Sequence, residues 1–157
     1  MMTSALAAGV IGTLAMTTII KAAAELGITR MDLALLLGTA VTENRRKARA
    51  LGYVFYFALG VAFAEAYGAF FTIVGHASWK LGALLGALHA VFVSTVLVSV
   101  LLPVVHPRMA DADTAAHAIT LIEPPGFLML NYGRSTFAIT LAAHIAYGAL
   151  VGLIAHV

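Results

Sequence analysis

The chain has 157 residues, of which 62% are hydrophobic and only 10% are charged, with a formal net charge of +2. Soluble domains are roughly a quarter charged because polar groups must cover their surface, so this composition favours lipid over water as the solvent. The small net charge gives no basic patch for nucleic acid, and the absence of cysteine excludes disulfides, thiolate metal sites and cysteine nucleophiles.

Four apolar stretches are long enough to cross a bilayer, which takes about 20 residues of helix. The stretches run from about Thr3 to Ala24, Leu51 to Gly75, Trp79 to Val105 and Thr136 to Val157. The first lacks the positively charged start of a signal peptide, so we expect it to remain as a helix. The sequence therefore predicts an all-α polytopic membrane protein, with four transmembrane helices in a single domain over residues 1–157.

The two long connections between spans hold most of the basic residues, whereas the turn between the second and third spans has only Lys80. Basic connections stay on the cytoplasmic side. We therefore expect both long connections in the cytoplasm and both termini outside, in a bacterial inner membrane. The basic residues that set this topology, and that are also candidates for binding lipid phosphate, are Arg45, Arg46, Lys47, Arg49, His106, Arg108 and Arg134.

Both cytoplasmic connections contain apolar segments that predict short interfacial helices. In the first, Thr29 followed by Asp32 indicates a helix start, and Met31 to Ala40 is apolar enough to lie along the membrane surface. In the second, Pro124 and Pro125 interrupt any continuous helix before the apolar segment Phe127 to Leu130.

The two halves of the chain, about 1–76 and 77–157, show the pattern of an internal repeat. Ala66-Tyr67-Gly68-Ala69 in the second span recurs 80 residues later as Ala146-Tyr147-Gly148-Ala149 in the fourth. Small residues at four-residue spacing, which let helices approach closely in lipid, run from Ala5 to Thr17 and again from Gly82 to Ser94. This predicts two related halves with a pseudo-two-fold axis along the membrane normal.

Short motifs over most of the chain carry a resemblance to a known family. They are the segment 9–16, Met31-Asp32-Leu33, Leu37-Gly38, Leu51-Gly52 through Gly60 to Tyr67, His106-Pro107, and His144 with Tyr147-Gly148. The chain resembles the small four-helix bacterial integral membrane proteins that form a family of unknown function. The resemblance implies the fold and the location, and no activity. In the family's pattern a histidine usually stands near the position that Tyr56 occupies here, so this chain departs from the pattern at that position.

Three ionisable side chains, Glu65, His89 and His144, fall inside the predicted spans. Such groups are costly in the bilayer unless paired, neutral or hydrated, so each is a functional candidate. An antiparallel hairpin would bring Glu65 and His89 to similar depth, and we expect them to contact. The four helices are thus predicted to share a polar layer near mid-bilayer, to which Thr13, Thr17, Tyr67 and Tyr147 also belong.

Three interpretations of this layer stay open. It is a hydrogen-bond network that fixes packing, a relay for protons or ions, or a metal or haem site formed by Glu65, His89 and His144. No phosphate loop, nucleophile elbow or zinc-protease helix is present. We therefore predict a non-enzymatic component of an oligomer or larger membrane complex that supports proton or small-solute movement, with metal or haem binding as the alternative.

Overall fold

The computed structural model describes residues 2–110 and 122–155, with no β-strand among them. Within these ranges, four helices are long and apolar enough to cross a membrane, which confirms the all-α polytopic fold. They are α1 (Met2–Glu25), α3 (Arg45–Val74), a composite third helix (Trp79–Val105) and α6 (Thr136–Ile154). The short helix α2 (Leu33–Thr39) lies between α1 and α3. The predicted end of the fourth span at Val157 lies outside the described residues.

The third span changes its helical type part-way. It begins as α4 (Trp79–Phe92), continues as a π-helix (Val93–Leu101) and ends as α5 (Leu102–Val105). In the π-helix the Ser99 hydroxyl donates to the carbonyl oxygen of Ser94 and to that of Gly126, the latter at 2.8 Å. π-helices are rare and often adjoin functional sites. The sequence gives no warning of this one.

The helices follow the order α3, α1, α6, α4 around the bundle. α1 packs against both α3 and α6, and α4 packs against α6. α3 and α4 are consecutive and joined by a short turn, yet their backbones do not pack closely. The predicted hairpin of the second and third spans does not give close packing of their backbones, so the cleft between α3 and α4 is an unpredicted feature.

Glycine allows the closest helix approaches. A Cβ placed on Gly82 would lie 2.0 Å from the carbonyl oxygen of Gly148, and one on Gly86 would lie 2.1 Å from that of His144. On the other side of the bundle, a Cβ on Gly60 would lie 1.8 Å from the Thr13 hydroxyl oxygen. These positions exclude a side chain, because contacts this short cannot be relieved without moving backbone or a buried side chain.

Some helix contacts are those that two related halves would make, and others are not. Gly9 lies against Ala64, and their equivalents Gly86 and His144 lie against each other. The rings of Tyr67 and Tyr147 are also in contact, with centroids 5.8 Å apart, as expected for equivalent residues that face a shared axis. However, the packing of α1 on α6 has no counterpart between α4 and α3. The internal repeat therefore stays a prediction, and the observed bundle is asymmetric.

Helix α2 packs alongside α3. The Asp32 side chain caps its N-terminus by accepting from the Leu35 amide at 2.9 Å. Thr29, which the sequence pattern favoured as part of the start, instead hydrogen-bonds the Thr136 hydroxyl at 2.7 Å. A Cβ on Gly38 would overlap the backbone of Ala48. This contact fixes α2 against the N-terminal end of α3.

The connection between the third and fourth spans also contacts α2. His106 is buried, with its Nε2 3.1 Å from the Leu36 carbonyl oxygen, and Arg108 donates to the carbonyl oxygen of Thr39 at 2.7 Å. The predicted interfacial segment forms a 3-10 helix (Phe127–Tyr132). Its Leu128 and Met129 have φ of +53° and +59°, an uncommon conformation for residues other than glycine.

Candidate intramembrane polar site

Two histidines meet at the centre of the bundle. His144 lies close to the middle of α6, and His89 lies on α4 one turn beyond the close approach at Gly86. Their rings contact edge to face with centroids 4.9 Å apart. The tight glycine packing of α4 on α6 therefore holds the two imidazoles together.

Aromatic side chains from α3 cover His89 from the other side of the cleft. Phe63 stacks against the imidazole with centroids 3.9 Å apart, and the Tyr67 hydroxyl lies 3.2 Å from His89 Nδ1. These side chains span the gap that the backbones of α3 and α4 leave. His89 is thus the residue through which the two consecutive spans touch.

The hydrogen bonds of His144 determine which of its ring nitrogens donates and which accepts. His144 Nδ1 lies 2.8 Å from the carbonyl oxygen of Thr140, so this nitrogen carries a proton and donates it. In a neutral imidazole the other nitrogen is then an acceptor. Tyr147 donates its hydroxyl to the carbonyl oxygen of Gly60, which ties α6 to α3.

Several hydroxyls near this centre are buried without a hydrogen-bond partner among the described residues. They belong to Thr13, Tyr56, Ser94 and Thr140. Thr17, also predicted in the layer, is half-buried and donates to the carbonyl oxygen of Thr13 at 2.7 Å. Buried polar atoms are normally paired with protein, water or ligand. The Thr13 hydroxyl is packed against Gly60, whereas Tyr56 lines a cavity, so the Tyr56 hydroxyl can bond a polar group that the described residues do not supply.

Glu65 does not join the histidines. It lies on the outer, exposed face of α3, and it makes no hydrogen bond or ion pair with any described residue. The predicted contact between Glu65 and His89 is therefore wrong. Adjacent helix positions rotate by about 100°, so Glu65 points away from the cleft that Phe63 and Tyr67 face.

The donor set does not fit the predicted metal or haem site. Among the described residues no group of three or more histidine, aspartate or glutamate side chains could hold a metal ion. His89 and His144 are in direct ring contact, so no flat macrocycle fits between them as between two axial ligands. With Glu65 outside the bundle, the three-ligand arrangement is not assembled.

An apolar cavity of about 270 Å³ leads from the lipid-facing surface to the histidines. Leu59 and Leu101 line it and are 47% and 48% exposed, which shows that it opens outwards. At its inner end lie Tyr56, His89 and His144. Its walls come from α3 and from the π-helical part of the third span, through Phe63, Val93, Leu97 and Val98. The cleft between α3 and α4 is therefore a pocket with an apolar entrance and a polar end.

A second cavity, of about 360 Å³, lies on the predicted cytoplasmic side. Lys21, Glu25, Asp32 and Arg49 line it, and Arg49 pairs with Asp32 at 3.0 Å. Tyr56 lines both cavities. Sequence reasoning missed Tyr56, although Tyr56, Gly60, Phe63 and Tyr67 recur at the spacing of one helix face.

The predicted basic residues lie in different environments. His106 and Arg108 are engaged with the end of α2, whereas Arg45, Arg46 and Lys47 form the exposed first turn of α3 and Arg134 is exposed before α6. Asn44 caps that first turn by accepting from the amides of Arg46 and Lys47. His106 thus contributes to packing, while the exposed set remains available to set topology or to meet lipid phosphate.

Neither a protein-family model, nor a curated protein, nor a solved structure matches this chain.

Proposed function

We propose that the protein is a non-enzymatic membrane component that binds a small, uncharged, lipid-soluble molecule in the cleft between α3 and α4. The observation that carries this proposal is the apolar cavity that opens to the lipid side and is lined by the imidazoles of His89 and His144 and by the Tyr56 hydroxyl, which has no hydrogen-bond partner among the described residues. Small-molecule pockets are typically apolar with a few convergent polar groups, and about 300 Å³ is the lower end of their volume. This cavity has that chemistry and that size.

The polar end favours a head group that carries oxygen. The Tyr56 hydroxyl is unpaired, and the imidazoles of His89 and His144 both face the cavity. A carbonyl or hydroxyl oxygen can accept from or donate to these groups, while the apolar walls exclude an ion. Quinones, phenols and long-chain alcohols have this combination, and each reaches the cleft by diffusion in the bilayer.

A thermal-shift measurement on the purified protein in detergent tests this. A ligand that binds the folded state raises its stability, by about 2.7 kcal/mol at 100 times the dissociation constant. We expect a decyl-substituted benzoquinone or dodecanol to raise the melting temperature and dodecane, which lacks the head group, to leave it unchanged. Equal effects of dodecane and dodecanol would contradict the polar end of the site.

Cavity variants supply the matched comparison. Leu97→Trp fills the cavity from the π-helical segment, whereas Val96→Trp places the same ring on the exposed side of that segment. We expect the first to abolish the ligand-induced shift and the second to preserve it. Loss of the shift in both, or in neither, would overturn the assignment of the ligand to the cleft.

Proton movement is a second candidate, favoured by the contact of Tyr67 with His89 and of His89 with His144. Histidine is the side chain whose ordinary titration lies nearest neutral pH, which suits a relay. Its test is proton flux into liposomes under an imposed potential, read by an enclosed pH-sensitive dye. We expect His89→Leu to lower the flux to that of empty liposomes, and flux unchanged by this variant would contradict the relay.

The predicted metal or haem alternative has a direct readout. A visible spectrum and elemental analysis of protein purified from cells supplied with iron and haem decide it. A Soret band or a stoichiometric metal would favour this alternative over the lipid-soluble ligand.

The proposal includes the location. The exposed basic residues at the start of α3 and the resemblance to small four-helix bacterial membrane proteins support a bacterial inner membrane, with both termini outside.

A further inference from the structure

Glu65 lies at the middle of the bilayer on a surface that faces away from the protein. It shares a helical turn with Phe63 and Tyr67, and both of these contact His89, which is level with the middle of α6. Its depth is therefore that of the polar site, and its side chain is exposed. An acidic residue at the centre of a membrane helix costs about 2.5–3.5 kcal/mol in insertion scales.

Around Glu65, the exposed face of α3 consists of small residues at helical spacing. They are Ala58, Ala62, Ala66, Ala69 and Thr72. Helices that pack in lipid use such faces because small side chains let the backbones approach and make dispersion contacts. Glu65 is the charged residue of this face, and the exposed side chains of Phe55 and Ile73 mark its two ends.

The glycine ridges of the described residues are used inside the bundle. Gly9 and Gly60 serve the contact of α1 with α3, and Gly82, Gly86 and Gly148 serve that of α4 with α6. Gly68, at the edge of the outer α3 face, has no atom within 4 Å of an added Cβ. The outer face of α3 is thus a small-residue face that the monomer leaves uncovered, and it carries the carboxyl group.

We propose that this face packs against the same face of a second copy, so that the two Glu65 carboxyl groups hydrogen-bond across a two-fold axis. In its neutral form a carboxyl group carries one donor and one acceptor, so two of them satisfy each other when related by such an axis. A second copy therefore supplies at the right depth the partner that each monomer lacks. The cleft lies on the opposite side of α3, so the dimer leaves it open to lipid.

The absence of cysteine makes a clean cross-linking test available. Single cysteines at Ala62 and Ala69 flank Glu65 on the proposed interface, and cysteines at Leu84 and Leu88 on the exposed side of α4 are the matched controls. In liposomes that contain only this protein, oxidation should form disulfide dimers at positions 62 and 69 and not at 84 and 88. Equal cross-linking at all four positions, or none at 62 and 69, would overturn the proposal; the latter result would leave a different membrane protein as the occupant.

Substitution of the carboxyl group tests its part in the dimer. Interhelical hydrogen bonds in model peptides correspond to about a tenfold change in association, so we expect Glu65→Leu to weaken dimerisation by about that factor. Glu65→Gln should retain the dimer because an amide also donates and accepts. The measurement is resonance energy transfer between labelled copies as lipid dilutes the protein. Glu65→Leu removes a polar group from a lipid-facing site, so it should fold, and unchanged dimerisation of this variant would defeat the carboxyl pairing.

Discussion

At the scale of single residues, His89 on α4 contacts four side chains from two other helices. They are Phe63 and Tyr67 on α3 and His144 and Tyr147 on α6. Because α3 and α4 have little backbone contact, these aromatic contacts hold α3 against α4. His89 is therefore both part of the proposed ligand site and a structural contact.

Tyr67→Phe removes the hydroxyl that bonds His89 Nδ1 and keeps the ring. Hydrogen bonds between membrane helices contribute about 0.6 kcal/mol on average, with a maximum near 1.7, so we expect a loss in that range. The measurement is unfolding of the detergent-solubilised protein. Tyr53→Phe is the control, because Tyr53 lies by the cytoplasmic cavity away from His89. Equal losses in both variants would contradict a specific bond at Tyr67.

Residue identity in the sequence is enough to select His89 and His144, because ionisable groups are rare in apolar helices. It does not give the direction in which a side chain points, which is why Glu65 is placed wrongly. The depth of a residue in the membrane follows from its position along the helix. Whether its side chain points into the bundle or outwards depends on which helices are neighbours. Tyr56 is missed for the same reason, since its importance comes from the two cavities that it separates.

At the scale of helices, glycine determines which pairs pack tightly. Gly86→Ala adds a methyl group that meets the backbone of His144, so α4 must move away from α6. Overpacking of this kind costs about 1–3 kcal/mol, and it should also separate the two imidazoles and weaken ligand binding. Gly68→Ala is the matched control, because its methyl group meets nothing. Unfolding and the ligand-induced thermal shift measure both effects, and a destabilised Gly68→Ala would contradict this account.

Asp32 both caps α2 and pairs with Arg49, and two substitutions distinguish the contributions of these interactions to stability. Asp32→Ala removes the acceptor for the Leu35 amide and should cost about 1 kcal/mol. Asp32→Asn keeps a capping oxygen but loses the pairing with Arg49, which is exposed and contributes little. We therefore expect Asn to preserve most of the stability, measured by unfolding. A loss as large as that of Ala would assign the effect to the ion pair instead.

Hydropathy predicts the positions of the four membrane helices, because each must have enough consecutive apolar residues to cross the hydrocarbon layer. It underestimates α3, which begins at Arg45 and not near Leu51, because the charged first turn continues the helix into water. It also cannot show the π-helix, because a change of helical type leaves the hydropathy of the residues unchanged. Which spans are neighbours follows from glycine contacts that chain order does not reveal.

At the scale of the molecule, the predicted topology is open to direct labelling. We expect a cysteine at Ala77, in the short turn before α4, to react with an impermeant thiol reagent in intact cells, and one at Thr42, before α3, to react only after the membrane is broken. The reagent reaches only the outer surface until lysis, so the pair reports orientation independently of function. The reverse pattern would invert the topology and leave the fold unchanged.

The asymmetry of the bundle limits what a repeat in the sequence can predict. Tyr67 and Tyr147, which occupy matching positions in the two halves, do meet at the centre. The packing of α1 on α6, however, has no equivalent between α4 and α3, which stand apart. His89 and His144 have no histidine at the matching positions of the first half, which are Gly12 and Ala64. The cleft between α3 and α4, where the repeat would predict close packing, is the candidate site.

The continuity of α3 couples the two ends of the protein. This helix runs unbroken for 30 residues, about 45 Å, so it is longer than the hydrocarbon layer and carries α2 at its N-terminal end. The same helix presents Phe63 and Tyr67 to the cleft. A protein or lipid that tilts the N-terminal end of α3 would therefore also change the width of the cleft entrance, without touching any residue inside the membrane.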